Sequence, residues 1–503
     1  MKMQKNIKIQ NQLELAHFHV QKPITSLLVS VVMEGDEYAL ILVYNPNNIV
    51  CGFISKELSH FLDEFYISDN CCTLNGLRHE LVEGMYTVAI ISIHSVEKKN
   101  LEINFDIEMD IIKEYDESYC QKTESQIAPS FDEILEETHR YYKGDFHGHT
   151  IYSDGNNTRL EANEILKQQQ MDFMAFTEHN SIPLTQGNTP CLSIPSFELT
   201  LPTGHINVHG IKDMNTIFLK LQTSNILNSN LSEKELFQLI CDMTVECYSG
   251  EANLSLNHMF LKPWHFNYEN FDMSKLNTIE IICDPTYATS EEANDKAVAF
   301  LDFLWEEGLL IYGIGGSDSH NKQEERYEGA VEPSIYGDPA TYVFCKGLSI
   351  RNIVDAVKKG HAYVARYVTM DICICEGKYL PGDEVEAVGE VFTSDINKTG
   401  KELKEELITY EVHIDSNKIL NRELVGRFIL NNQIVKEIRL NKEQDKIYDT
   451  VSFRMENNPG SWWLRFGIYD KAGHVIAYVN PIYRNKKACN ASEFKILKEK
   501  FGE

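Results

Sequence analysis

The chain has 503 residues, 43% hydrophobic and 24% charged, with 75 acidic against 47 basic side chains and a formal net charge of -28. That length exceeds a single hydrophobic core and predicts two to four domains, while the composition excludes a disordered chain. The acidic surface excludes nucleic-acid binding, which needs Lys and Arg to displace counterions, and docking on anionic membranes.

Residues 1–10 are polar and carry no signal-peptide h-region. No run approaches the roughly 18 apolar residues of a membrane span. The 12 cysteines are scattered without a C-x-x-C pair. They predict free thiols in a reducing cytoplasm, with Cys71-Cys72 and the Cys373/Cys375 pair as packing residues.

Short apolar or alternating runs at 24–33, 38–44, 86–93 and 101–112 have strand length, and Asn45-Pro46-Asn47-Asn48 is a turn signal. They predict a small β-sandwich over 1–113, followed by a linker and a short helix at 131–141 within 114–141. The texture then becomes α/β over 142–368. Thr158 caps a helix to Gln170, with a strand at 173–177 behind it. Strands at 254–256 and 278–283 follow. Ser290 caps a helix that Gly308 ends, strand 309–314 comes next, and Ser349 caps a helix stopping at Gly360. Repeated β–α units imply a parallel sheet or a barrel. Residues 369–503 read as a second β-sandwich-like domain, with strands at 407–414, 424–430, 449–455 and 462–469, a turn at Asn431-Asn432, and its end near Asn480-Pro481-Ile482-Tyr483. Trp462-Trp463 reads as core of that domain, with a carbohydrate or partner surface as the other reading. No motif specifies an oligomeric state.

The chemistry lies in the middle region. His147-Gly148-His149 opens it, with Ser153-Asp154-Gly155 close behind. On a strand, residues i and i+2 share a face, so both histidines can grip one ion. Thr177-Glu178-His179-Asn180, Glu198, Gly204-His205, Asn257-His258 and Gly316-Ser317-Asp318-Ser319-His320 follow, each at or near the carboxyl end of a predicted strand. Barrel enzymes place their active sites at such ends. A lone His-x-His is most often incidental; the ordered set of nitrogen and carboxylate ligands fits two or three ions such as Zn, Mn or Fe.

These residues carry a family resemblance. The stretch from Tyr142 to Gly155 is similar to the first motif of the PHP (polymerase and histidinol phosphatase) superfamily. Thr177–Asn180 resembles the second motif, Asn257-His258 the third and Gly316–His320 the fourth. The closing stretch, from Pro339 through Gly360-His361-Ala362-Tyr363-Val364, resembles the branch of carbaryl-hydrolase-like proteins. The resemblance implies a distorted (β/α)7 barrel flanked by the two β domains. It implies one ion on His147, His149, Glu198 and Asp318, a second on Glu198, His258 and His205, and a third on Asp154, His179 and His320. Ser196 stands where a glycine often precedes the bridging glutamate by two. His209 competes with His205 as ligand, and both, with His265, are candidates for the general acid; His265 and Arg326 are candidates for substrate contact.

The implied reaction is hydrolysis by metal-activated water. Three divalent ions against Asp154, Glu198 and Asp318 leave about three positive charges, which favours an anionic small molecule and a phosphomonoesterase or phosphodiesterase. Hydrolysis of a carbamate, ester or amide is the alternative, and it asks for apolar walls such as Trp264, Phe266 and Tyr287. A non-catalytic binding protein is the third reading, and it predicts broken ligand motifs.

Overall fold

The computed structural model describes residues 2–8, 13–21, 24–33, 39–56, 63–73, 75–76, 81–92, 100–108, 120–122, 130–181, 189–212, 233–386, 407–416, 423–443, 446–457 and 460–503. The fold is mixed α/β, mostly sheet, with five α-helices among the described residues. No helix there is long and apolar enough to cross a membrane.

The N-terminal region forms two antiparallel sheets. One orders Lys2–Lys8, Asn100–Glu108, Ser26–Met33, Glu64–Ser68, Cys71–Thr73 and Cys120–Lys122; the other orders Leu13–Val20, Gly84–Ser92, Ala39–Tyr44 and Val50–Lys56. Their facing side chains, among them Phe18, Val29, Ile41, Val43 and Phe65, make one buried cluster. Cys120–Lys122 pairs with Cys71–Thr73, so the expected linker contributes a strand; most of its other residues lie outside the described ones. Ten cysteines are free, whereas Cys71 is disulfide-bonded, which corrects the expectation of free thiols throughout.

Residues 136–145 correct the predicted helix at 131–141. Glu136–Asp145 is a strand paired antiparallel with Ala340–Leu348. Tyr141 and Tyr142 favour extended backbone, and Tyr141 stacks edge-on against Phe344 and Tyr363 across the sheet.

Pairing then runs in a closed circuit. Glu136–Asp145 lies parallel to Phe173–Met174, and beyond that strand His179 bridges to Glu198. Ser196–Leu201 and Gly204–His209 form a hairpin. Gly204–His209 pairs antiparallel with Asn253–Leu256, which lies parallel to Thr278–Cys283, itself parallel to Tyr312–Gly316. Gly148 bridges to Ser319 and returns the circuit to its start. The two antiparallel pairings depart from a uniform β–α repeat, because the two-residue connection at Pro202-Thr203 permits only a hairpin.

The outer helices behave as their sequences dictate. Thr158 and Glu161 form a reciprocal capping box on Arg159–Gln168, and Ser349 caps Ile350–Lys358. Ser290 is not the cap it is expected to be: it is the first helical residue, and Thr289 holds the N-cap position without a side-chain capping bond. Ser290–Glu306 packs Ala297, Phe300 and Leu301 inward, and Gly308 follows its end with φ of +84°. The helix Glu233–Tyr248 was not anticipated.

The C-terminal strands continue the sheet that begins at Glu136: Ala362–Ala365 pairs with Val475–Val479, which pairs with Trp462–Asp470. A second sheet of Val368–Ile374, Leu407–Ser416, Lys446–Glu456 and Lys442–Glu443 shares one apolar cluster with it. Asn431 and Asn432, with φ of +47° and +62°, turn Leu424–Leu430 into the exposed strand Gln433–Arg439. The last strand, Ile482–Arg484, closes the C-terminal sheets, and the helix Phe494–Phe501 then returns and buries Phe494 and Leu497 in the cluster that holds Phe300. Trp462 and Trp463 are both buried, Trp462 among the C-terminal sheets and Trp463 against Trp305, with its indole N–H donating to Glu306.

Candidate metal centre

The nine residues expected as ligands meet in one pocket; seven follow strand ends, whereas Glu198 lies within the strand Ser196–Leu201 and His205 near the start of Gly204–His209, not at a carboxyl end as expected. Asp145 ties the first ends together. Its Oδ1 accepts from the backbone N–H of His147 and of Ser317, both at 3.0 Å, and its Oδ2 accepts from Gly337 N–H at 2.7 Å. Gly316 must be glycine here, because a Cβ would lie 2.3 Å from the Cβ of His147. Asn180, His258, Asp284 and Asp318 all have positive φ, between 24° and 49°. Non-glycine residues seldom occupy that region, and such strain gathers at functional sites.

One corner holds His147, His149, Glu198 and Asp318. His147 Nε2 lies 3.1 Å from His149 Nε2 and from Asp318 Oδ1. Both Nε2 atoms lie 3.4 Å from Glu198 Oε2. A second corner surrounds Glu198 Oε1, with His205 Nδ1 at 3.0 Å and His258 Nε2 at 3.5 Å. Asn257 donates to the same oxygen at 2.8 Å. A third corner sets Asp154 Oδ1 3.3 Å from His179 Nε2 and 3.1 Å from His320 Nε2. His149 is near enough to join it, so this histidine stands between two corners. His179 also reaches Glu198 Oε2 at 2.8 Å.

A divalent cation fits this set because of one feature. Glu198 Oε2 is buried and has no hydrogen-bond partner, yet three imidazole nitrogens surround it. Lone-pair atoms facing one another across about 3 Å lower their energy by sharing a cation. Burial, with His320 and His179 beside it, pushes His149 down to about 3, so it stays neutral and able to ligate. Burial opposes charge on His147, but Asp318, Glu280 and Glu198 hold its pKa well above the ordinary value. Burial likewise opposes ionisation of Glu198, yet His147, His179 and His205 hold it well below the usual carboxylate range.

Two carboxylates behind the ligands escaped the sequence reading. Glu280 Oε1 accepts from His147 Nδ1 at 2.7 Å, and its Oε2 accepts from the backbone N–H of His258 at 3.1 Å. It fixes the tautomer of His147 that presents Nε2 inward. Its signal is a lone acidic residue inside the otherwise apolar strand Thr278–Cys283. Glu178 accepts from Thr150 N–H and from the hydroxyls of Thr150 and Ser153, and so pins the turn that carries Asp154. Cys283, beside His147 and Asp318, also escaped notice; burial and those neighbouring carboxylates raise its thiol pKa.

The four further candidates separate. His205 faces the cavity. His209 does not: it donates from Nε2 to the Phe146 carbonyl at 2.8 Å, and Asn253 donates to its Nδ1 at 3.0 Å. Burial pushes it down to about 3, and it serves as a neutral strut. His265 turns to the Pro263 carbonyl, and Arg326 is exposed and donates to the Val331 carbonyl; neither lines the cavity. The cavity, about 230 Å³, has Trp264, Tyr287 and Tyr327 on its walls. Phe266 lies instead in the core against Phe271 and Phe494.

No family model matches the chain, and no curated protein matches it. Among solved structures it is similar to PliG, a periplasmic inhibitor of g-type lysozyme from Aeromonas hydrophila, at 9% identity over 22% of this chain and 85% of that one, with a TM-score of 0.15. A β-glucosidase from Kluyveromyces marxianus in complex with glucose matches at 9% identity over 94% of this chain and 44% of that one, with a TM-score of 0.13. At such scores neither likeness bears on fold or function.

Proposed function

We propose that this chain is a metal-dependent phosphoesterase of the PHP type, acting on a small anionic metabolite from a distorted (β/α)7 barrel between two β-sandwich-like domains. The observation that carries this reading is the orphaned Glu198 Oε2, ringed by His147, His149 and His179. The closed circuit of strands, with most ligands just past strand ends and Glu198 and His205 paired across a hairpin, supports the barrel. Two or three divalent ions bound there would activate water and offset the charge of a phosphoryl group. The protein's own part is to hold nine ligands in place, to exclude bulk water from the floor of the pocket, and to leave its mouth open. Among the acid candidates, only His205 is close enough to act on a substrate in the cavity.

One observation favours the second reading, hydrolysis of a carbamate, ester or amide. Trp264, Tyr287, Tyr327 and Leu261 line the cavity, and no described lining residue is Lys or Arg.

Metal content by elemental analysis, paired with hydrolysis of para-nitrophenyl phosphate, bis-para-nitrophenyl phosphate and para-nitrophenyl acetate, separates these readings. The expected result is two or three ions per chain and phosphoester turnover that falls about a thousandfold or more in Asp318→Ala, since a lost metal site forfeits several kcal/mol of transition-state stabilisation. Turnover of the acetate alone would select the carbonyl hydrolase. A protein that takes up no metal after reconstitution would be a binding module.

A further inference from the structure

The mouth of the cavity carries side chains that the ligand set does not use. Trp264, Tyr287 and Tyr327 form a continuous aromatic wall: Trp264 and Tyr287 meet edge to face at 5.7 Å and 65°, and Tyr287 and Tyr327 at 5.3 Å and 86°. Trp264 is 44% exposed, whereas Trp305, Trp462 and Trp463 are buried to 3–4%. Beside the wall stands Asp284, only 5% exposed. Its Oδ1 has no well-formed hydrogen bond, and the hydroxyls of Tyr327 and Ser334 are the protein donors that bear on its carboxyl. Its backbone φ of +37° is strained for a non-glycine residue.

The surroundings hold Asp284 in that posture. Asn294, on the helix Ser290–Glu306, accepts from Cys283 N–H at 3.1 Å and donates to the Cys283 carbonyl at 3.0 Å, which clamps the residue before it. Tyr287 N–H donates to the Asp284 carbonyl at 3.1 Å, which couples the carboxyl to the wall. A buried acceptor left without a donor costs free energy in the empty pocket, and a ligand that supplies the donor recovers it.

We propose that Asp284, with Trp264, Tyr287 and Tyr327, forms the subsite for the leaving group, and that this subsite selects a flat ring bearing an O–H or N–H donor. The proposal rests on the hydrolase reading above and specifies its substrate. Flat rings match the π faces and edges of the wall better than puckered ones. The donor completes Asp284 Oδ1. A leaving group that carries its own carboxylate is disfavoured, because no described lining residue is Lys or Arg to pair with it.

Three small molecules test this in the metal-reconstituted full chain: resorcinol (flat ring with donors), 1,3-dimethoxybenzene (flat ring, both donors blocked) and 1,3-cyclohexanediol (donors, no flat ring). Binding is read from tryptophan fluorescence, to which Trp264 is the solvent-accessible contributor, with Trp264→Phe as the control that removes the signal. Resorcinol should bind about tenfold tighter than either analogue, the order of the cost of leaving a buried acceptor unpaired. Asp284→Ala should bring resorcinol and 1,3-dimethoxybenzene together while metal content is unchanged. The wild-type ranking decides alone if that variant does not fold. Equal binding of all three, or no binding, overturns the subsite; so does loss of a metal ion in Asp284→Ala, which would make Asp284 a ligand. The monophosphates of resorcinol and 3-methoxyphenol, leaving groups of similar acidity with the second donor free or blocked, should differ in the same sense in kcat/KM. The expected ranking in binding with no hydrolysis would overturn the phosphoesterase reading and leave the subsite standing.

Discussion

Two buried polar assemblies in this molecule differ in how they are satisfied. At the junction between the helix Ser290–Glu306 and the C-terminal sheet, Arg465 is 1% exposed and donates from Nε and Nη2 to the two oxygens of Asp302 at 2.7 and 2.6 Å. The same guanidinium donates to Tyr469 and lies over the ring of Tyr478. Donor meets acceptor, and the fork geometry fits a carboxylate. Around Glu198, ring nitrogens converge on one another and on a carboxylate oxygen that lacks a well-formed hydrogen bond. Both are equally dry. The first pairs its two charges without any further group, with only Arg465 Nη1 left without a hydrogen-bond partner, and docks one layer on another; the second balances its converging lone pairs only with a cation.

The sharpest way to break that contrast is to remove one partner of the complete pair. Asp302→Ala leaves Arg465 buried and uncompensated, which should cost about 3–5 kcal/mol in chemical denaturation. Metal content should stay at the wild-type value. Asp302→Leu combined with Arg465→Met should recover most of the loss, because apolar groups of similar volume replace such pairs at little cost. A loss below about 1 kcal/mol in the single variant would mean that the pair is solvated and the contrast is wrong.

Glu280→Gln sharpens the other side. It keeps the shape of the residue behind His147 but turns a charged acceptor into a neutral amide. Orienting carboxylates of this kind are worth about 10–100-fold in metal affinity. Competition with a chelator should show a loss in that range, with little change in the denaturation midpoint of the metal-free protein. If the metal-free protein lost stability instead and kept its metal affinity, Glu280 would belong with Asp302 as a structural group.

How much of this was legible in the sequence follows from the same chemistry. The ligands announced themselves as glycine-flanked i,i+2 pairs and as lone His or Asp residues after apolar strands. His205, Asn207 and His209 share one strand face, so spacing alone could not tell which histidine opens on the cavity. His205 sits at the mouth end and reaches Glu198, whereas His209 lies four residues further along, about 13 Å down the strand, against the Phe146 carbonyl. Asp145, Glu280 and Asp284 went unnoticed because each is a single acid within or beside a buried strand, where no periodicity marks it. The strand Glu136–Asp145 was misread because its first half is polar and half-exposed, and only its pairing with Ala340–Leu348 fixes its shape. The exposed strand Gln433–Arg439 lacks alternation for the same reason, being an edge of its sheet.

The smallest expected effect concerns an exposed relative of the Arg465 pair on the same helix. His474, in the turn before Val475–Val479, lies with Nδ1 2.7 Å from Asp295 Oδ2 and Nε2 3.4 Å from Glu291. The hydrogen bond to Asp295 raises its pKa above the ordinary histidine value, with Glu291 adding to the effect against a smaller cost of burial. A folded-state pKa above the unfolded one near 6.5 means that the charged imidazole stabilises the fold fully below that pH. The contribution fades as pH rises through the folded value. His474→Ala should therefore lower stability at pH 5.5 and make little difference at pH 9. The size should stay under about 1 kcal/mol, because a third of the side chain is in water and exposed pairs are weak. Denaturation midpoints of wild type and variant across that range measure it. A deficit that persists unchanged to pH 9 would assign the contact to packing rather than charge, and would leave the buried Arg465–Asp302 pair as the ionic link between helix and sheet at this junction.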